Sequence, residues 1–182
     1  PGMTVINTCD FNQTKLATIA ISEFDGPVYL RFGRPKVANF TDIEEDFVVG
    51  KGKLLKEGND VTIVATGHLV WESLIAASEL ERNNIKCEII NIHTIKPLDE
   101  EVILNSVSKT GCIVSAEEHN IYGGLGESVS RLLSTKLPTP QELVGTKDTF
   151  GESGKPSELM IKYGLNKDSI IAACKEVLKR KK

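Results

Sequence analysis

From Val61 onward the chain alternates short, unbroken apolar runs with longer segments that are apolar on one face only. Val61-Thr62-Ile63-Val64-Ala65-Thr66 is the first such run. Cys87-Glu88-Ile89-Ile90-Asn91-Ile92 and Cys112-Ile113-Val114-Ser115-Ala116-Glu117 repeat its plan without repeating its sequence. Short β-branched runs without polar alternation suit strands buried on both faces, as in a parallel sheet. The segments that follow them carry helical spacing: Val70, Leu74 and Ala77; Leu98, Val102 and Leu104 with Val107; Leu125, Val129, Leu132 and Leu133. The strands start roughly 25 residues apart, the length of a strand and its crossover helix. A fourth strand is expected at Glu142-Leu143-Val144-Gly145. A last helix is expected from near Asp168, which caps it, burying Ile170, Ile171, Cys174, Val177 and Leu178. The pattern predicts an α/β fold, three-layered, with a mostly parallel sheet and helices on both faces.

The chain before Val61 reads differently. A helix within residues 7–23 carries Leu16, Ile19 and Ala20, and Gly26-Pro27 leads into the strand Val28-Tyr29-Leu30-Arg31-Phe32. Residues 34–60 are rich in Gly, Pro, Asn and charge, a composition that runs over surfaces between domains. One helix and one strand cannot bury their apolar faces alone. The expected organisation is therefore the end of a preceding domain at 1–34, a linker at 35–60 and a self-sufficient domain at 61–182. The opening Pro1-Gly2, in place of an initiator Met, fits the expectation that an upstream part is missing.

Composition narrows the function. With 182 residues, 40% hydrophobic, the chain can bury a core without disulfides or metals. A formal charge of -3 argues against a nucleic-acid surface. The terminal Lys179-Arg180-Lys181-Lys182 reads as cations complementing the C-terminal end of a helix. Cys9, Cys87, Cys112 and Cys174 are scattered without a Cys-x-x-Cys spacing, which suits a reducing, cytoplasmic compartment. The sequence has no apolar stretch of membrane-spanning length. Neither nucleic acid nor membrane is expected as a partner.

Candidate chemistry lies near the predicted strand ends. Gly123-Gly124-Leu125-Gly126-Glu127-Ser128 opens a helix after a strand, where a phosphate can sit on backbone amides, but its spacing is not that of a dinucleotide fingerprint. The preferred reading is a tight, closely packed turn. The segment Gly151 to Lys155 is no phosphate loop, because Thr149 takes the first glycine position and Pro156 follows the lysine. His68, His93 and His119 fall at three strand ends that face one edge of a parallel sheet; no ligand spacing supports a metal, and structural histidines are expected. Arg31 and Arg34 bracket the end of the first strand, with Pro35 stiffening the chain behind them. An arginine fork there matches a phosphate, with a solvated pair as the alternative. No catalytic Ser-His-Asp, Cys-His or carboxylate pair is evident.

Leu30-Arg31-Phe32-Gly33-Arg34-Pro35 is similar to the end of the pyrimidine-binding domain of transketolases. Thr94-Ile95-Lys96-Pro97-Leu98-Asp99 and Glu117-Glu118-His119 with Gly123-Gly124-Leu125-Gly126-Glu127 resemble two strand-to-helix turns of the family's C-terminal domain. Ser153-Gly154-Lys155-Pro156-Ser157-Glu158-Leu159, followed by Tyr163-Gly164-Leu165, resembles the segment near its C-terminus. The four matches occur in order and span most of residues 28–172.

The resemblance implies the C-terminal section of a transketolase, which moves a two-carbon ketol unit reversibly between sugar phosphates using thiamine diphosphate and Mg²⁺. It implies that this chain alone is inactive, holding no catalytic residue and no cofactor or metal. The family's Gly-Asp-Gly…Asn motif is missing, Phe24-Asp25-Gly26 does not replace it, and the glutamate that activates the cofactor lies upstream. Arg34 matches the family arginine that holds the substrate phosphate, and Arg31 is a weaker transfer that positions it. Expected partners are the N-terminal transketolase domains, on the same or a separate chain, and a second copy in a homodimer. Two related enzymes, deoxyxylulose-phosphate synthase and the 2-oxo acid dehydrogenase beta subunit, share the Lys-Pro-Leu-Asp-type loop and the glycine turn but not the Ser-Gly-Lys-Pro-x-Glu-Leu segment. A non-catalytic scaffold domain is the reading of another class.

Overall fold

The computed structural model describes residues 1–181. In chain order the elements are β1 Thr4–Asn7, α1 Phe11–Ser22, β2 Val28–Arg31, β3 Lys53–Lys56, β4 Val61–Ala65, α2 Leu69–Glu81, β5 Cys87–Asn91, β6 Thr94–Lys96, α3 Glu100–Thr110, β7 Ile113–Asn120, α4 Leu125–Lys136, β8 Gln141–Thr146, α5 Pro156–Lys162 and α6 Lys167–Lys179.

Five strands form the main sheet in the order β3-β5-β4-β7-β8. All its pairs are parallel except β3 with β5. Every residue of β4 and β5 is buried, as central strands covered on both sides must be. Alternation along β4 sorts the core. Val61, Ile63 and Ala65 pack under α2 and α6 with Ile89, Val114 and Cys174. Val64 faces the opposite way, with Ile90 and Ile113, toward Ile103 and Val107 of α3 and Val129 and Leu132 of α4. The α/β, three-layered, mostly parallel arrangement is the expected one.

A second, three-stranded sheet has the order β2-β1-β6. β1 and β2 are parallel and joined through α1, whereas β6 is antiparallel to β1 and comes from the chain just after β5. The Asn7 amide donates to the His93 carbonyl (2.8 Å), tying the end of β1 to the two-residue step between β5 and β6. α1 begins with a reciprocal cap: Asp10 accepts from the Gln13 amide (2.9 Å) and Gln13 accepts from the Cys9 amide (3.0 Å).

Three details depart from the sequence reading. The segment 35–60 carries β3, an edge strand of the main sheet. α1 buries Gln13 and Ala17 rather than a Leu16/Ile19/Ala20 face, and Ile19 is 56% exposed. α6 is capped by Asn166, whose side chain accepts from the Ser169 amide, while Asp168 lies within the first turn.

Candidate functional site

The C-terminal ends of β1 and β2 meet those of β4 and β7, and the loops leaving these strands enclose a crevice between the two sheets. In open α/β sheets such strand ends are where ligands collect. Glu117 and Glu118, near the end of β7, point to opposite sides. Buried Glu117 turns toward α4 and accepts the amides of Leu125 and Gly126, both at 2.7 Å. Burial pushes its carboxyl above the ordinary range against the pull of those two bonds. A Cβ on Gly124 would lie 2.1 Å from the Glu117 carboxylate, so the glycine is needed for this approach. The α4 amides open to an anion by sequence are thus occupied by the protein's own carboxylate, and the Gly123–Gly126 turn is a packing device.

Glu118 faces the other way. Its carboxylate lies 3.1 Å from His68 Nδ1, and this hydrogen bond first, then the charges of His68 and Arg31, hold it below its usual pKa against burial. Its backbone carbonyl accepts Arg31 Nη2 at 2.9 Å. The His68 ring precedes α2 and abuts Gly33, where a Cβ would lie 2.1 Å from Nε2. Next in the chain, Arg34 is exposed and lines two adjoining hollows, of about 960 and 490 Å³, with His68 and Lys36 in both. The larger extends past Trp71 and His119 to the loop before α5.

The chain beyond Pro35 is pinned in turn. Asp10 accepts the Phe40 amide (2.9 Å), the Thr41 amide (2.7 Å) and the Thr41 hydroxyl (2.7 Å), and the Phe40 ring stacks on Trp71 with centroids 5.4 Å apart. Sequence reasoning missed Asp10 and Trp71; an aspartate three residues before a glutamine at a helix start was the one available sign.

Of the residues marked by sequence, the structure brings Arg31, Arg34, His68 and His119 to this crevice. His93 lies elsewhere, buried, with its ring tilted over Phe47 and Nδ1 3.0 Å from the Thr94 hydroxyl. Among the described residues no group of three or more His, Cys, Asp or Glu side chains is placed to hold a metal ion. The arrangement presents an exposed guanidinium and a lysine on the walls of an open groove, with both ring edges of His68 engaged by the protein itself.

Residues 50–170 match the family described as transketolase, C-terminal domain. The chain is 44% identical over 181 residues to a 6-deoxy-6-sulfo-D-fructose transketolase subunit of Clostridium sp. (strain MSTE9), covering all of this chain and 56% of that protein. It is 34% identical over 181 residues to one of the subunits of an apulose-4-phosphate transketolase of Phocaeicola vulgatus, covering 99% of this chain and 58% of that one. The chain therefore spans little more than half the length of these relatives. A solved structure described as a split gene transketolase, inactive beta4 tetramer, superposes with a TM-score of 0.97 at 40% identity, over the whole of this chain and 60% of that one.

Proposed function

Because the chain belongs to the transketolase C-terminal domain family, we propose that it is the C-terminal section of a transketolase and that it holds the terminal anion of the sugar substrate through Arg34. The observation that carries this reading is the position of Arg34, exposed where the two sheets meet and between two connected hollows. Its fork stays charged and matches an oxyanion bidentately. Arg31 is already engaged with the Glu118 carbonyl, which leaves it a supporting part. Gripping the anion end of a sugar restrains its carbonyl end, so binding energy remote from the reacting carbons is turned into orientation.

In the complete enzyme thiamine diphosphate with Mg²⁺ supplies the carbon–carbon bond chemistry. The residues of this chain do not fit that cofactor's diphosphate end. The α4 N-terminus is filled by Glu117, and no carboxylate cluster converges among the described residues. We therefore place the cofactor with the N-terminal transketolase polypeptide, on the same or a separate chain, and read the unit as part of a larger assembly, a homodimer or higher. The proposed site is the cytoplasm. Among the described residues no helix is long and apolar enough to cross a membrane.

Both phosphate and sulfonate are tetrahedral terminal anions that suit Arg34, and the two relatives are named for one of each. The test is reconstitution. This chain alone should show no ketol transfer, and addition of the N-terminal polypeptide should restore it. In the reconstituted enzyme Arg34→Ala should raise the KM for xylulose 5-phosphate by about 10- to 100-fold, the loss of one charge-assisted contact of about 1.5–3 kcal/mol. An unchanged KM removes the assignment. Comparing ketoses ended by phosphate and by sulfonate decides the anion, and turnover of pyruvate in place of the ketose would move the enzyme to the synthase branch.

A further inference from the structure

His68 stands beside the anion arginine without pointing at the place an anion would occupy. Its side chain is only 14% exposed although it lies at the mouth of both hollows. One ring edge is tethered, Nδ1 to the Glu118 carboxylate at 3.1 Å. The other edge closes on the Gly33 backbone: a Cβ there would lie 2.1 Å from Nε2 and 2.2 Å from Cε1. Any side chain at position 33 would drive the ring off its tether or push the end of β2 outward. Gly33 is the residue before Arg34, and Pro35 fixes φ on the far side. β7 grips the same stretch a second time, through the Glu118 carbonyl and Arg31. The backbone that carries Arg34 is therefore held between a rigid imidazole of the main domain and a proline.

We propose that His68 is a positioning residue for Arg34: its ring, anchored by Glu118, sets the path of Gly33 and so the direction in which the Arg34 guanidinium meets the terminal anion of the sugar. The inference rests on the reading of Arg34 as the anion contact. A long, exposed arginine loses much rotamer freedom on binding, and a fixed base of departure reduces how much of that loss falls on the bound state. The arrangement also makes the C-terminal domain matter to substrate binding although it supplies no group that touches the sugar.

The experiment is a double-mutant cycle in the enzyme reconstituted with its N-terminal polypeptide, using xylulose 5-phosphate as the probe. His68→Ala should raise KM by about tenfold while kcat stays within about twofold, and in an Arg34→Ala background it should add less than about twofold. A purely structural role predicts instead a lower urea midpoint with KM and kcat both affected whether or not Arg34 is present. Should His68→Ala fail to assemble, Glu118→Ala frees the same ring and is read by the same cycle. The proposal is overturned if Arg34→Ala raises KM and His68→Ala does not, or if the two effects multiply. An Arg34→Ala variant with unchanged KM sinks the parent reading first, and is seen in that arm alone.

Discussion

His93 is 5% exposed, and burial lowers its pKa from 6.5 to about 4, with Asp99 pulling weakly the other way. The folded state thus prefers the neutral ring, while the unfolded chain takes up a proton near pH 6.5. Between those two values the unfolded state binds more protons, so this contribution to stability is full above pH 6.5 and is lost as pH falls toward 4. From pH 7.5 to 5 the loss should be about 2 kcal/mol, read from urea unfolding at several pH values. Glu117, held high by burial, acts in the opposite sense; the histidine's share is therefore the difference between the wild type and His93→Gln, whose curve should lack that slope. Nothing in the sequence separated His93 from His68, and only His119 stood apart, because it follows Glu117-Glu118. His68 and His93 follow strands and His119 lies at the end of one, and their fates were set by tertiary neighbours: Phe47 over His93, Gly33 and Glu118 around His68, solvent around His119. Arg34 was marked by a motif, and the structure places it on the wall of the two hollows. His68, which packs against the neighbouring Gly33, follows a strand of the other sheet, and no local spacing carries that contact.

At the level of elements, the strands β4, β5 and β7 were legible because burial on both faces leaves an unbroken apolar run, and the helices between them because one face must meet the sheet. What was not legible is short or at an edge. β3 has charged residues at both ends and pairs only on one side; β6 has three residues; α5 buries no side chain and starts on Pro156. The cap of α6 was read to within two positions. Asp168 has the right chemistry for α6, but Asn166 adopts the extended backbone and accepts from the Ser169 amide at 3.0 Å, while Glu72 accepts the Lys167 amide at 2.7 Å. An N-cap asparagine is worth about 1 kcal/mol, an acidic first-turn residue about 0.3–1 in low salt and less when screened. Asn166→Ala should therefore lower unfolding free energy by about 1 kcal/mol, and Asp168→Ala by less than half of that at about 0.5 M salt, measured by urea unfolding; equal losses would contradict the assignment of the cap.

For the molecule as a whole, the two sheets differ in how well they are covered. The five-stranded sheet has helices on both faces and its central strands are sealed. The small sheet ends at β2, whose outer edge pairs with no strand among the described residues. Around it Ile19, Tyr29 and Phe32 are 56%, 55% and 59% exposed, and Phe11 is 70% exposed. We propose that this surface, a helix turning isoleucine and phenylalanine outward beside an open strand edge, is one that a preceding domain covers. If the preceding domain covers this surface, the isolated chain should associate with rising concentration in sedimentation velocity. Ile19→Glu with Tyr29→Glu should weaken that association, and reconstitution with the N-terminal polypeptide, by more than about tenfold in each case. Both side chains are already half in water, so the unfolding midpoint should barely move. A chain that stays monomeric at every concentration, and whose double variant reconstitutes as well as the wild type, would mean that this face meets only solvent and that the first 34 residues belong to the same self-sufficient unit as the rest.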